Sequence, residues 1–438
     1  MIKRIMILFL LISHGITAQG FNKTKLDSLF TIIQKHNKGM GSFSIFQNGK
    51  EVYRNSIGYA DVNNNIKADQ NTKYRIGSIT KTFTATMILQ LIDEKKLTLA
   101  TLLSDYFPEI PNASKITIEH LLRHRSGLYN LTNDRDFVKW MVVPQTRKQM
   151  MNRIIEKKVD FEPDEKTEYS NTNYLLLSYI LEDIEGKSYA NILQSRIVIP
   201  CKLENTCYGG KIDTSENEAL SYDLEDEWTE TIQTDMSVPM GAGGIIATPT
   251  DLNTFYHDLF NGKLISESAL DQMKTIKEGL GMGVMKMPFQ DKEIYGHNGK
   301  IDGFQSLAGY FTNERIGVSY IANGLVLPIE TIVLGALQIY IGADYELPDF
   351  KPAMTLKKED LEPYLGMYSS PDFPMEIEIL NKDAILIAKA TGKPLLPLEP
   401  VEKDKFKSDR AMLTIEFVPK EGKLIFERGQ QKHVLTRK

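Results

Sequence analysis

Apolar positions recur along the chain with two different periods. Over 25–37 they fall at Leu26, Leu29, Phe30, Ile32 and Ile33, which is one face of a helix. Ser42-Phe43-Ser44-Ile45-Phe46 alternates as a strand, and Gln47-Asn48-Gly49-Lys50 is a strong hairpin turn signal. A returning strand is therefore predicted over 51–60. A buried helix starts near Ser78 and runs into Met87, Ile88, Leu89, Leu91 and Ile92. A short helix over 117–125 places Ile118, Leu121 and Leu122 together and ends at Ser126-Gly127. The segment 145–199 reads as mostly helical, broken by the turn Phe161-Glu162-Pro163-Asp164. Gly241-Ala242-Gly243-Gly244 is a flexible turn leading to a helix over 250–260, with Pro249 or Thr250 near its cap. Short strands follow at 280–285, 293–296, 304–311 and 316–322, and an apolar closing helix at 330–340.

Two early strands, a helical middle and late strands predict an α+β domain. Its antiparallel sheet, flanked by helices and a helical subdomain, is completed by both ends of the domain. From 360 onward the pattern is strands alone, at 375–379, 384–387, 412–417, 423–426 and 433–435, which predicts a small all-β barrel or sandwich. The polar stretch 348–359 carries Pro348 and Pro352 and divides the two. The expected organisation is a leader at 1–18, a first domain at 19–347, a linker at 348–359 and a β domain at 360–438.

Composition changes this picture little. The 438 residues are 42% hydrophobic and 25% charged, with a net charge of −5, so nothing suggests a nucleic-acid partner. The acidic run 223–230 reads as a solvated loop. Lys3 and Arg4 followed by eight apolar residues from Ile5 to Ile12, then Thr17-Ala18, form a secretory signal too short to span a membrane. The expectation is an exported protein, periplasmic or secreted, with no stable membrane span once the signal is removed. In that compartment Cys201 and Cys207, the only cysteines, either form a disulfide or remain two buried thiols.

Candidate chemistry centres on Ser78-Ile79-Thr80-Lys81. A serine and a lysine three apart on a helix share a face, and a serine hydroxyl needs a neighbouring base to become a nucleophile. No other serine in the chain has a lysine three residues later. Two further signals follow in order, Tyr169-Ser170-Asn171 and His297-Asn298-Gly299. Y-x-N also occurs at Tyr53 and Tyr189, whereas H-x-G occurs once. His120 and His124 have a spacing that metal sites use, but no third ligand accompanies them in pattern, and a structural role is expected. No metal or cofactor is implied.

The ordered set S-x-x-K, Y-x-N and H-x-G resembles the serine hydrolases built on the class C β-lactamase and penicillin-binding-protein fold. Ile116-Thr117-Ile118-Glu119-His120-Leu121-Leu122, His124-Arg125-Ser126-Gly127-Leu128 and Ala242-Gly243-Gly244-Ile245-Ile246-Ala247-Thr248 extend the resemblance over roughly 22–345. The tail from Tyr364-Leu365-Gly366-Met367-Tyr368 resembles, more weakly, a lipocalin-like β domain. The resemblance implies a Ser78 acyl-enzyme, with Lys81 and Tyr169 sharing general-base work and cationic surroundings lowering the pKa of each. It also implies Asn171, His297 and Gly299 on the substrate, and an oxyanion hole from the backbone N–H groups of Ser78 and Lys300. β-Lactamases usually carry K-T-G where this chain has His297-Asn298-Gly299, which favours the esterase and peptidase members. A small-molecule, peptide or ester substrate is expected. The alternative is a penicillin-binding or sensor module that acylates and turns over poorly.

Overall fold

The computed structural model describes residues 21–224, 227–350, 354, 356–382, 384–391, 393, 395–429 and 431–438. The expected leader at 1–18 lies outside the described residues. Six strands form the main sheet: β1 (Gly39–Gln47), β2 (Lys50–Ile57), β3 (Met285–Phe289), β4 (Lys292–Ile301), β5 (Phe304–Phe311) and β6 (Ile316–Leu325). Their order is β3-β4-β5-β6-β1-β2, and each neighbouring pair is antiparallel. The β1–β6 pairing joins the two ends of the domain, as the pattern predicts.

Five helices position the site: α1 (Lys23–Lys35), α2 (Thr80–Asp93), α3 (Asn171–Glu185), α4 (Pro249–Phe260) and α5 (Ile329–Tyr340). The period of two splits the sheet's faces. Phe43, Ile45, Val318 and Tyr320 join Leu26, Phe30 and Ile332 in the core beneath α1 and α5. On the opposite face Asn253 of α4 donates to the Ser44 carbonyl at 3.1 Å and accepts from Ser319 Oγ at 2.8 Å. Helix α2 is buried on every side from Thr80 to Leu89, so it is a central rod rather than an amphipathic surface helix. Its threonines are satisfied internally: Thr82 donates to the Gly283 carbonyl at 2.6 Å and Thr84 to the Gly241 carbonyl at 2.7 Å.

Several elements differ from the sequence pattern. The strand expected at 280–285 begins only at Met285, because Gly283 turns with φ +71° against α2, where a Cβ would stand 2.7 Å from the Lys81 carbonyl oxygen. The strand expected at 293–296 runs from Lys292 to Ile301, so His297-Asn298-Gly299 lies inside it. The tail is a closed barrel of eight antiparallel strands, sealed where Tyr368 pairs with Arg437. Gly366–Ser369, Leu396–Glu402 and Lys405–Ser408 are the strands that periodicity missed. Pro397 and Pro400 interrupt the second of these, and its register shifts beside Pro400. Side chains including Tyr364, Tyr368, Phe406, Phe417 and Leu424 fill the barrel interior.

The disulfide is a correction. Cys201 and Cys207 are both free: Cys201 is buried at the end of a helical turn beside Asp258, and Cys207 is exposed on a short strand paired with Ile246. The chain between them, 202–206, leaves the helix through Lys202 in the left-handed region (φ +57°) and carries no helical turn.

Candidate active site

Ser78 sits in a tight turn, Gly77–Ile79, between the short strand Tyr74–Arg75 and α2. Gly77 has φ +51°, and a Cβ there would lie 2.8 Å from the Lys300 amide nitrogen, so glycine is required on both counts. A Cβ on Gly299 would likewise stand 3.0 Å from the Ser78 amide nitrogen. The serine turn and β4 therefore meet backbone to backbone, Gly77 against Lys300 and Gly299 against Ser78.

Lys81 follows one turn along the helix, with no exposed surface at all. Its Nζ reaches Ser78 Oγ at 2.9 Å, Asn171 Oδ1 at 2.7 Å and the Ala242 carbonyl at 2.7 Å. Burial pushes its pKa well below the usual lysine value. A neutral amine has two protons and one lone pair. Two bonds can then be donated, to Asn171 and Ala242, while the lone pair faces the serine hydroxyl.

Tyr169 lies two residues before α3, and its hydroxyl interacts with the Ser78 side chain in a way that favours the phenolate. Lys81 Nζ lies 4.9 Å from the centre of its ring. Burial raises the Tyr169 pKa above the ordinary tyrosine value, outweighing the interaction with Ser78. The expectation that cationic surroundings lower both pKa values is thus replaced. Desolvation dominates, and it acts in opposite directions on an amine and a phenol.

Asn171 is aimed by neighbours that its short motif does not announce. Its Nδ2 donates to Asn130 Oδ1 at 3.3 Å and to Thr132 Oγ1 at 3.2 Å, leaving Oδ1 for Lys81. His297 is 2% exposed, and its ring centre stands 6.2 Å from that of Tyr169. It is expected on the substrate, but it is buried, while its neighbours on β4, Asn298 and Lys300, are exposed. Burial, then the nearby Lys81, pull the His297 pKa down to about 3, so the ring is neutral. His124 stacks on Tyr169 at 4.4 Å and its Nδ1 accepts the Ser170 N–H at 3.1 Å. His120 caps its own helix through Thr117, so both histidines of the i, i+4 pair are structural.

Ser78, Asn171 and Lys300 open into a cavity of about 490 Å³. The segment 137–143 and the loop 231–239 form its far wall and are joined by the Asp235 N–H donating to the Met141 carbonyl at 2.8 Å. Beneath it Arg75 and Asp302 form a buried ion pair at 2.7 Å. Asp302 occupies the left-handed position of the Asp302-Gly303 turn that ends β4, and it accepts from the Thr234 N–H at 3.0 Å.

A buried amine on a serine hydroxyl, inside an α+β sheet domain, is the arrangement of a serine hydrolase of the β-lactamase and penicillin-binding-protein-like kind. The Beta-lactamase family matches residues 28–332, and the chain belongs to that family. It is 26% identical to penicillin-binding protein 4* of Bacillus subtilis over 461 residues, covering 95% of this chain and 99% of that protein. It is 29% identical to the teichoic acid D-alanine hydrolase of Staphylococcus aureus over 227 residues, 52% of this chain and 55% of that one. The crystal structure of D-amino acid amidase from Ochrobactrum anthropi SV3 complexed with D-phenylalanine superposes with a TM-score of 0.65 at 25% identity, covering 73% of this chain and 99% of that one.

Proposed function

We propose that the protein is an exported hydrolase that cleaves an ester or amide through an acyl-enzyme on Ser78. The contact that carries this reading is Lys81 Nζ on Ser78 Oγ at 2.9 Å, made by an amine whose burial favours its neutral form. Lys81 takes the hydroxyl proton as Oγ attacks the carbonyl carbon. The negative charge that develops on the carbonyl oxygen is met by the N–H groups of Ser78 and Lys300. Tyr169 hands its proton to the leaving alcohol or amine and takes up the one held by Lys81. Water then attacks the acyl carbon, its proton returns through the same pair, and Ser78 leaves as the free hydroxyl.

His297 gives the substrate no charge, because it is neutral and buried. A lysine at the K-T-G position of β-lactamases is a permanent cation. Neutral esters are therefore expected to be cleaved at least tenfold better than a chromogenic cephalosporin, since a charge-assisted contact is worth about 1.5–3 kcal/mol. The names of the relatives support acyl groups of the D-amino-acid type as one option. The test is mass spectrometry of Ser78 after a small fluorophosphonate, followed by steady-state rates on activated esters. Labelling on another serine would overturn the nucleophile. A stoichiometric burst without turnover would favour the binding-module alternative, which the penicillin-binding relative keeps in view. Recovery of the protein in the cytoplasmic fraction would overturn export.

A further inference from the structure

We propose, resting on the Ser78 acyl-enzyme reading, that the cavity is an acyl pocket and that the substrate's acyl group carries a medium-length apolar chain or an aromatic ring. The side of the reaction follows from where the proton carrier stands. Tyr169, which serves the leaving group, is not on the cavity wall, whereas Ser78, Asn171 and Lys300 are. The leaving group departs on the Tyr169 side, so the cavity receives what remains bound to Ser78.

Its size and lining define the guest. A cavity of ~150 Å³ lined by aliphatic and aromatic side chains holds one benzene. The 490 Å³ here is several times the space that the single methyl of an alanyl group needs. Leu131, Trp140, Met150, Leu175 and Val238 line it, each at most 6% exposed. The wall is preformed: Phe137 meets Trp140 edge to face at 4.9 Å, and the Arg153 guanidinium lies 4.3 Å over the Trp140 ring. The apolar character continues outward, where the lining residue Ile232 is 54% exposed and Val138 and Val143, in the same segment as Phe137 and Trp140, are 59% and 46% exposed. Charge argues the same way. Asp302 is already held by Arg75, and the remaining charged side chains on the wall, Asp223 and Lys300, are both exposed at its mouth. Among the described residues, nothing charged in the interior waits for a polar acyl group.

The experiment is a series of p-nitrophenyl esters with one leaving group: acetate, butyrate, hexanoate and octanoate. Each methylene taken out of water should raise kcat/KM about three- to fourfold until the cavity is full. The hexanoate-to-acetate ratio should fall in Ile232→Asp, a change on an exposed side chain that folding tolerates. Labelling of Ser78 by the small fluorophosphonate is measured in parallel and separates the two levels. If Ser78 is labelled but acetate is the best ester, or the series is flat, the acyl-pocket proposal is wrong and the acyl-enzyme reading stands. If Ser78 is not labelled and no ester is cleaved, both fall.

Discussion

The guanidinium of Arg75 donates to Asp302 Oδ2 at 2.7 Å with both side chains out of water, tying the segment just before Ser78 to the turn just after Lys300. Arg75 also donates to the carbonyls of Thr234 at 2.8 Å and Gly210 at 2.9 Å. The pair thus fixes the spacing between the two backbone N–H groups proposed for the oxyanion. Removing one partner of a buried pair leaves an uncompensated charge, at a cost of about 3–5 kcal/mol. Asp302→Ala should lower stability by that order in urea unfolding. Asp302→Asn should keep the fold and reduce kcat about ten- to a hundredfold with KM little changed. Wild-type kcat in both variants would remove the pair from the catalytic argument.

The opposite pKa directions of Lys81 and Tyr169 separate their roles by pH. Lys81 acts as a base only when neutral, and its pKa is lowered. Activity should therefore rise with pH through that lowered pKa and then level off, well before the usual lysine range. Tyr169 stays protonated throughout, because its pKa is raised. Tyr169→Phe should lower kcat by about 10²–10⁴ and leave the rising limb where it is. His297 cannot produce the limb, since it titrates at about 3. A limb that moves or disappears in Tyr169→Phe would make the tyrosine the base.

His124 packs against Tyr169, with its ring stacked at 4.4 Å and its Nδ1 occupied by the Ser170 N–H. His124→Ala removes the stack and frees a buried N–H, worth together about 2–4 kcal/mol. The expected signature is a fall in kcat of tenfold or more with KM nearly unchanged. His124→Asn, which keeps an acceptor near Ser170, should recover part of the loss. A KM effect alone would show that the histidine shapes substrate binding instead.

The sheet, the order of helices and the three motifs were legible because each has a local signature: alternation from Ser42 to Phe46, the Asn48-Gly49 turn, a lysine three after Ser78. What aims these residues was not legible. Asn130 and Thr132 reach Asn171 from some forty residues away, and Asp302 reaches Arg75 across 227 positions. Such partners are set by how the helical subdomain closes on β4, which no local period records. The burial of His297 was hidden for a related reason. The expected strand stops at 296, just before it, but the strand continues through the motif and the ring is buried. The barrel strand with Pro397 and Pro400 escaped because proline argues against a ladder, whereas here the register shifts around it.

The free cysteines give a direct chemical check. Burial pushes the Cys201 thiol up to about 12, and it faces Asp258, whereas Cys207 is exposed. Denatured protein should titrate two thiols with Ellman's reagent. In the native protein Cys207 should react first and Cys201 only on unfolding. Protein recovered from the export compartment with no titratable thiol would restore the bridge and require the segment between the cysteines to move.

The last expectation concerns the barrel, whose core is separate from that of the catalytic domain. It is anchored near the end of α1, where Lys38 Nζ lies 2.6 Å from Asp409 Oδ2 and 3.7 Å from Glu399 Oε2. Phe350 lies beside the same anchor, its ring centre 5.6 Å from His36 and from Lys38 Nζ. None of these residues lines the cavity at Ser78. A chain ending at Leu347 should therefore still be labelled at Ser78 and keep the wild-type pH profile. It loses the Phe350 contact and leaves Lys38 without its carboxylates, and the half-buried ion pair and ring contact are together worth about 1–3 kcal/mol. Its melting temperature should fall by a few degrees. Lys38→Ala in the full chain should reproduce part of that fall without touching kcat/KM. A truncated chain that folds, melts normally and yet loses Ser78 labelling would show that the barrel completes the active site.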